Sequence, residues 1–191
     1  VSFTKLKPQI VFLGQADLKG ARAPLLDGDA VHVWALRSSA LTEILSLYTG
    51  IEPSLIQFEK TGLGKPRLLP PQNPGSLYFN RSHSGDLEVV ALTRRGEIGV
   101  DIEEIRVFVR MDAFLKRFAF ASERARIETL PASERLRAFF ELWTAKEAWC
   151  KAQAKSIFNA LEHYEWDPLD PGFLKLEIEA GYVGYLYLQD S

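Results

Sequence analysis

Hydrophobic positions follow a strand-like period through most of the first hundred residues, and a helical one after that. Val31-His32-Val33-Trp34-Ala35-Leu36 is rich in β-branched and aromatic types and predicts a strand. Leu41, Ile44, Leu45 and Tyr48 recur at helical spacing, which predicts an amphipathic helix over 39–48 with Gly50 as its stop. A short strand is expected over 55–58, then a turn at Gly62-Leu63-Gly64-Lys65-Pro66. Extended Leu77-Tyr78-Phe79 leads into the polar stretch Asn80 to Gly85, which reads as a small-residue turn. Segments 87–93 and 97–102 are joined by Arg94-Arg95-Gly96, the spacing of a β-hairpin. Beyond Arg106, helices are expected over 111–119 and 122–129. After a break at Pro131, a long helix is expected over 133–153, opening at Ser133-Glu134. Strands return at 173–179 and 182–188, around Ala180-Gly181. The first thirty residues carry Gly and Pro breaks without a clear period.

Strands with one helix, then helices, then strands predict an α+β fold with mainly antiparallel sheets. The change of period places a boundary between two lobes, 1–102 and 103–191. The chain has 191 residues, 47% of them hydrophobic, enough for a sizeable core in either one large domain or two lobes. A formal charge of −2 excludes a generally basic nucleic-acid binder, so a polyanionic ligand would need a local cluster of cations. Cys150 is the only cysteine, which excludes an intramolecular disulfide and a thiolate zinc cage; in its apolar setting it reads as core filler. No apolar run reaches bilayer-spanning length, and Val1 to Lys5 opens no long apolar leader. Met111 is the only methionine, so Val1 is not expected to be the natural start. A cytoplasmic location and a monomer are the expectations.

Candidate chemistry concentrates in four places. In Gly99-Val100-Asp101-Ile102-Glu103, strand alternation puts Val100 and Ile102 on one face and Asp101 with Glu103 on the other. Gly99 precedes the acids on their own face, where it is expected to leave room for a ligand. Two adjacent carboxylates raise each other's pKa unless a cation sits between them, and with oxygen ligands only the expected ion is Mg²⁺. A solvated strand end carrying surface acids is an equally open reading of the strand alone. In Trp143-Thr144-Ala145-Lys146-Glu147-Ala148-Trp149-Cys150-Lys151, Glu147 and Lys151 share a helix face in apolar surroundings. An ordinary surface ion pair is the alternative. Asn80-Arg81-Ser82-His83-Ser84 holds a Ser/His pair, but neighbours on an extended chain point apart, so it offers anion-binding groups and no triad. Gly64-Lys65-Pro66 is no Walker loop, because Pro66 forces extended geometry where that motif opens a helix; Lys65 can still reach a phosphate as a point charge. His32 and His163 have no companions at metal-ligand spacing and read as structural.

Taken in order, these motifs resemble those of the Sfp-type 4′-phosphopantetheinyl transferases: Gly64-Lys65-Pro66, Phe79 to Ser84, Gly99 to Glu103, and Trp143 to Lys151. The resemblance runs from about residue 31 to the end. It implies two pseudo-symmetric α/β lobes with coenzyme A in the cleft between them. It also implies an enzyme that moves the phosphopantetheine arm to a serine of an apo acyl or peptidyl carrier protein. By the same resemblance Asp101, Glu103 and Glu147 hold Mg²⁺. Lys65, Ser82 and His83 contact the nucleotide end, and Lys151, assisted by Lys146, neutralises the pyrophosphate. Glu147, Lys151 and Asp101 form the catalytic set, with Glu147 or a metal-bound water as the base. Arg106, Arg110, Lys116 and Arg117, beside Phe108 and Met111, are candidates for docking the carrier. An inactive coenzyme-binding homologue and a Mg²⁺-dependent pyrophosphohydrolase are the alternative functions.

Two departures stand out. The family's Gly-x-Gly-Leu after the last lysine is replaced here, with Ala154 and Ser156 at the glycine positions. An arginine-bearing helical segment usual after the first strand is absent between Arg37 and the helix at 39–48. Such a segment would supply groups for the coenzyme's 3′-phosphate; either the protein is truly shortened here or the stretch is missing from this sequence, and the second is the expectation.

Overall fold

A computed structural model describes residues 9–12, 18, 26, 30–61, 64–73 and 75–189. Gly62 and Leu63 of the predicted turn lie outside these residues. The elements are β1 (Gln9–Phe12), β2 (Val31–Leu36), α1 (Leu41–Thr49), β3 (Phe58–Thr61), β4 (Lys65–Leu68), β5 (Tyr78–Ser84), β6 (Leu87–Thr93) and β7 (Ile98–Glu104). They continue with α2 (Met111–Phe118), α3 (Ala121–Glu128), α4 (Ala132–Ala152), α5 (Ile157–His163), β8 (Phe173–Lys175) and β9 (Tyr182–Leu188). The fold is α+β, as expected. One sheet has the order β1-β2-β6-β5, a second β7-β9-β8, and β3 with β4 form a small hairpin. Among the described residues, all strand pairings are antiparallel except β1 with β2.

Period-2 alternation in β2 explains the layering. Trp34 and Leu36 face α1, packing on Ile44 and Leu45 with Phe79, Val90 and Leu92. Val31, Val33 and Ala35 face the other way, with Val89 and Ala91, and meet Ile98, Val100, Ile102 and Leu186 of the second sheet. The second sheet turns Val183 and Tyr185 outward against Phe139, Leu142, Ala145 and Ala148 of α4. Four layers result: a helix, two sheets and a helical layer. Each sheet thus carries a helix on its outer face. α1 ends where predicted, because Gly50 takes the left-handed conformation (φ 72°) and its N–H closes on the Ser46 carbonyl.

Three local expectations are corrected. Segments 87–93 and 97–102 are no hairpin: β6 pairs with β2 and β5, whereas β7 pairs with β9. Gly99 to Ile102 therefore belongs to the second sheet, and the chain crosses between sheets at Arg94–Glu97, upstream of the expected boundary at 102/103. Asn80 to Ser84 is regular strand, since these residues pair one-for-one with Leu87 to Ala91; the turn lies beyond, at Gly85-Asp86. The strand expected over 55–58 begins only at Phe58, after a 3-10 turn at Pro53–Leu55. Strand β1 and helix α5 have no counterpart in the sequence reading, because each is too short to show a period.

Helix α4 closes in a Schellman-type arrangement. The Lys155 N–H bonds the Cys150 carbonyl at 2.9 Å and the Ala154 N–H bonds that of Lys151 at 3.4 Å. This needs a left-handed residue, and Ala154 supplies it at φ 50°. The backbone keeps the turn that a glycine would take without strain. Ala154→Gly should raise stability by ~1 kcal/mol, the relief of one left-handed alanine, read as a higher urea midpoint at unchanged slope.

Candidate active site

The site is built where β5, β7 and α4 meet. Strand β7 is an edge of its sheet, so alternate N–H groups point away from β9 and need partners. Side chains of β5 supply them. Asn80 Oδ1 accepts from the Val100 N–H at 2.9 Å, Ser82 Oγ from Ile102 at 3.4 Å, and Ser84 Oγ from Glu104 at 3.0 Å. The spacing is a constant twenty residues, so two parallel strands of different sheets are stitched by side chains in place of a backbone ladder. The other side of β7 is closed by α4. A Cβ on Gly99 would lie 1.9 Å from the Ala148 carbonyl oxygen and 2.5 Å from the Ala152 nitrogen. Gly99 leaves room for a helix backbone and not, as expected, for a ligand.

This packing brings Asp101 and Glu103 of β7 to Glu147 and Lys151 of α4. Lys151 Nζ lies 2.6 Å from Asp101 Oδ1 and 3.0 Å from Ser82 Oγ, and Ser82 donates to the same Oδ1 at 2.7 Å. The other oxygen, Asp101 Oδ2, is buried and accepts no hydrogen bond. Glu103 Oε2 takes a hydrogen bond from Ser84 at 2.8 Å and another from Arg106 at 3.0 Å. Burial pushes the Asp101 carboxyl upward, with Glu103 adding to it, while Lys151 and Ser82 oppose. Glu147 is pushed up to about 7, first by burial and then by the charges of Asp101 and Glu103; Lys151 acts the other way. The three acids therefore sense one another. Among the described residues, no three His, Cys, Asp or Glu side chains stand positioned around one ion. Lys151 is the cation on Asp101.

The other sequence candidates are placed elsewhere. Lys146 is a correction: its Nζ is 2.8 Å from Glu123, with both side chains essentially inaccessible at 1% and 0%. Glu123 also accepts the N–H groups of Phe120 and Trp166, at 2.9 and 2.7 Å, so the pair ties α3, α4 and the loop after α5 together and cannot reach a coenzyme. Lys65 is likewise withdrawn from solvent; its Nζ donates to Glu97 at 2.7 Å and to the Ile98 carbonyl at 2.9 Å. Burial draws its pKa down and Glu97 opposes that. Strand alternation separates Ser82 from His83: Ser82 is buried against β7, and His83 is exposed on the opposite face with Arg81. His32 meets the Tyr48 hydroxyl at 2.8 Å in the core of the first sheet, as expected of a structural histidine. Cys150 is buried, its thiol 3.3 Å from the Ser156 carbonyl. Arg37, which the sequence marks only as the flank of the absent segment, bonds Asp86 and both Glu179 oxygens (2.8 and 2.7 Å) and opens the four-residue link into α1.

The 4′-phosphopantetheinyl transferase superfamily model matches residues 97–188, which carry β7, α4 and β9. The 4′-phosphopantetheinyl transferase HetI of Nostoc sp. is 35% identical over 137 residues, 71% of this chain and 57% of HetI. The enzyme psf-1 of Bacillus pumilus is 39% identical over 111 residues, 57% of this chain and 44% of psf-1. AcpT of Escherichia coli K12 is 31% identical over 140 residues, 73% of this chain and 67% of AcpT. The chain belongs to the 4′-phosphopantetheinyl transferase superfamily. It spans about half the length of HetI and psf-1. Among the described residues of this superfamily member, no helix is long and apolar enough to cross a membrane.

Two measurements test the site as built. Lys146→Met strands the Glu123 carboxylate in the core and should cost ~3 kcal/mol in urea unfolding. The second concerns Glu147. Its folded pKa of about 7 exceeds its ordinary value of 4.5, so between these limits the folded state binds more protons than the unfolded one. Without divalent ions, stability should therefore fall as pH rises from about 4.5 to about 7, and Glu147→Gln should flatten that slope.

Proposed function

We propose that this chain transfers the 4′-phosphopantetheine arm of coenzyme A to a serine of an apo acyl or peptidyl carrier protein. The serine oxygen forms a bond to the β-phosphorus, the bridging P–O bond breaks, and adenosine 3′,5′-bisphosphate leaves with that oxygen. The observation that carries the reading is the junction itself: Asp101 and Glu103 from one strand and Glu147 from the helix, with Lys151 among them. A bare cluster of acids would repel a pyrophosphate, so a cation is required.

By residue type the donors suit a hard divalent ion, although their side chains do not converge on one point. Asp101 Oδ2 is buried and unpartnered, a costly arrangement for a carboxylate unless something binds it, and the neighbouring donors are oxygens only. Asp101, Glu103 and Glu147 would hold Mg²⁺. When bound, it supplies Lewis-acid stabilisation of charge on the phosphate oxygens. Lys151 hydrogen-bonds Asp101 and is only partly buried (28% exposed), so its ammonium can turn to a pyrophosphate oxygen and balance charge on the leaving bisphosphate. Glu147, or a water beside it, takes the proton of the attacking serine. His83, exposed with Arg81, is the candidate contact for the nucleotide end; Ser82 acts through Asp101.

Carrier docking is proposed at the loop after β7. Val107 and Val109 are 84% and 91% exposed and Phe108 37%, flanked by exposed Arg106 and Arg110, with Lys116 and Arg117 on α2. An apolar patch rimmed by cations suits an acidic carrier surface. Met111 is withdrawn from this set, because it packs against the helical core. A monomeric, cytoplasmic enzyme completes the proposal.

Incubation with coenzyme A, Mg²⁺ and apo carrier proteins should add the phosphopantetheine mass to the carrier, as read by mass spectrometry. Coenzyme A cleaved without carrier modification would instead identify a hydrolase. Glu147→Gln and Asp101→Ala should each lower kcat by ~10²-fold or more with folding intact. Near-normal turnover in both variants would remove this site.

A further inference from the structure

Ser82 and Ser84 do the same two things one step apart along β5. Ser82 Oγ accepts the Ile102 N–H and donates to Asp101 Oδ1 at 2.7 Å. Ser84 Oγ accepts the Glu104 N–H at 3.0 Å and donates to Glu103 Oε2 at 2.8 Å. Each hydroxyl thus has both its donor and an acceptor lone pair committed, one to the neighbouring strand's backbone and one to a carboxylate. Asn80 continues the row on the Val100 N–H, but the residue preceding Val100 is Gly99, where Ser82 and Ser84 find Asp101 and Glu103. The serines stand where the acids are.

We infer that Ser82 and Ser84 are positioning residues, which couple closure of the junction between the two sheets to the orientation of Asp101 and Glu103. The inference rests on the proposed metal-centred function. A hydroxyl on one oxygen of each carboxylate fixes its rotation and aims the other oxygen. For Asp101 that other oxygen is buried and unpartnered. Glu103 has a competing restraint, because Arg106, 60% exposed, holds the same Oε2 at 3.0 Å. Ser84 is the only one of these two donors that comes from the inward side. Without it, the remaining pull on Glu103 is toward the solvent-exposed arginine. Outer partners that orient carboxylate ligands are commonly worth ten- to a hundredfold in ion affinity.

Ser84 gives the cleaner test, because Ser82 also touches Lys151. Mn²⁺ serves as the probe, in the whole chain, with affinity measured by titration and Glu104 amide exchange by NMR. Ser84→Ala should weaken Mn²⁺ binding by about tenfold and speed Glu104 amide exchange, and Ser84→Thr, which keeps the hydroxyl, should restore both. If Ser84→Ala speeds amide exchange but binds Mn²⁺ as tightly as the parent, the serine is only a strand fastener and the inference is overturned. Should the parent chain bind no Mn²⁺ at all, the metal-centred function itself falls and the inference falls with it. An Arg106→Ala variant separates the two restraints on Glu103: combined with Ser84→Ala it should recover part of the lost affinity, and no recovery would count against the outward pull.

Discussion

Gly99 has no side chain, and the backbone of α4 fills the place where one would be. That contact sets the distance between the strand bearing Asp101 and Glu103 and the helix bearing Glu147 and Lys151. Any Cβ at 99 would meet backbone atoms of Ala148 and Ala152, which cannot swing aside as a flexible side chain can. On α4, Glu147 precedes Ala148 and Lys151 precedes Ala152, so the acid and the lysine stand beside the two points of contact, one helical turn apart. Strand β7 is thereby occupied on every side: hydrophobic core on one face, helix on the other, β9 along one edge and the side chains of β5 along its other edge.

A strand held so completely can carry buried charge. Asp101 is 5% exposed, and a carboxylate there is costly unless matched. The match in this protein comes from Lys151 and Ser82, on one oxygen only. Two other lysines of the motifs could have served, and the fold spends neither of them on the site: Lys65 answers Glu97 and Lys146 answers Glu123. Both pairs bind elements distant in sequence. They make the frame stiff, whereas Lys151, the most exposed of the three ammonium groups, is the one left able to exchange partners.

Much of this was legible in the chain. The alternation that pairs Asp101 with Glu103 and the four-residue step from Glu147 to Lys151 are local periods, and both survive in the structure. So do the α+β class and the stop at Gly50. Partners across the fold were not legible. The four-residue step to Glu147 sets Lys151 apart from Lys146, but nothing local shows where Lys146 goes; that is decided by Glu123, on another helix. Gly99 reads equally well as space for a ligand or for a backbone until α4 is in place. Asn80-Arg81-Ser82-His83-Ser84 carries turn-forming residue types; pairing with β6 makes a strand of them, and their side chains then meet the N–H groups of β7.

That last case shows how one segment can serve two sides. With a period of two, Asn80, Ser82 and Ser84 face β7 while Arg81 and His83 face outward, so a five-residue stretch offers hydroxyls to the acids and a guanidinium and an imidazole to solvent. A polar motif on a helix or a turn would spread over several directions; on a strand it separates into two rows. Ser82 and His83 are neighbours in the chain, yet they cannot grip one phosphate from the same face. The strand geometry therefore divides the labour that the motif suggests: the serines shape the carboxylates, and the imidazole is left for whatever approaches from outside.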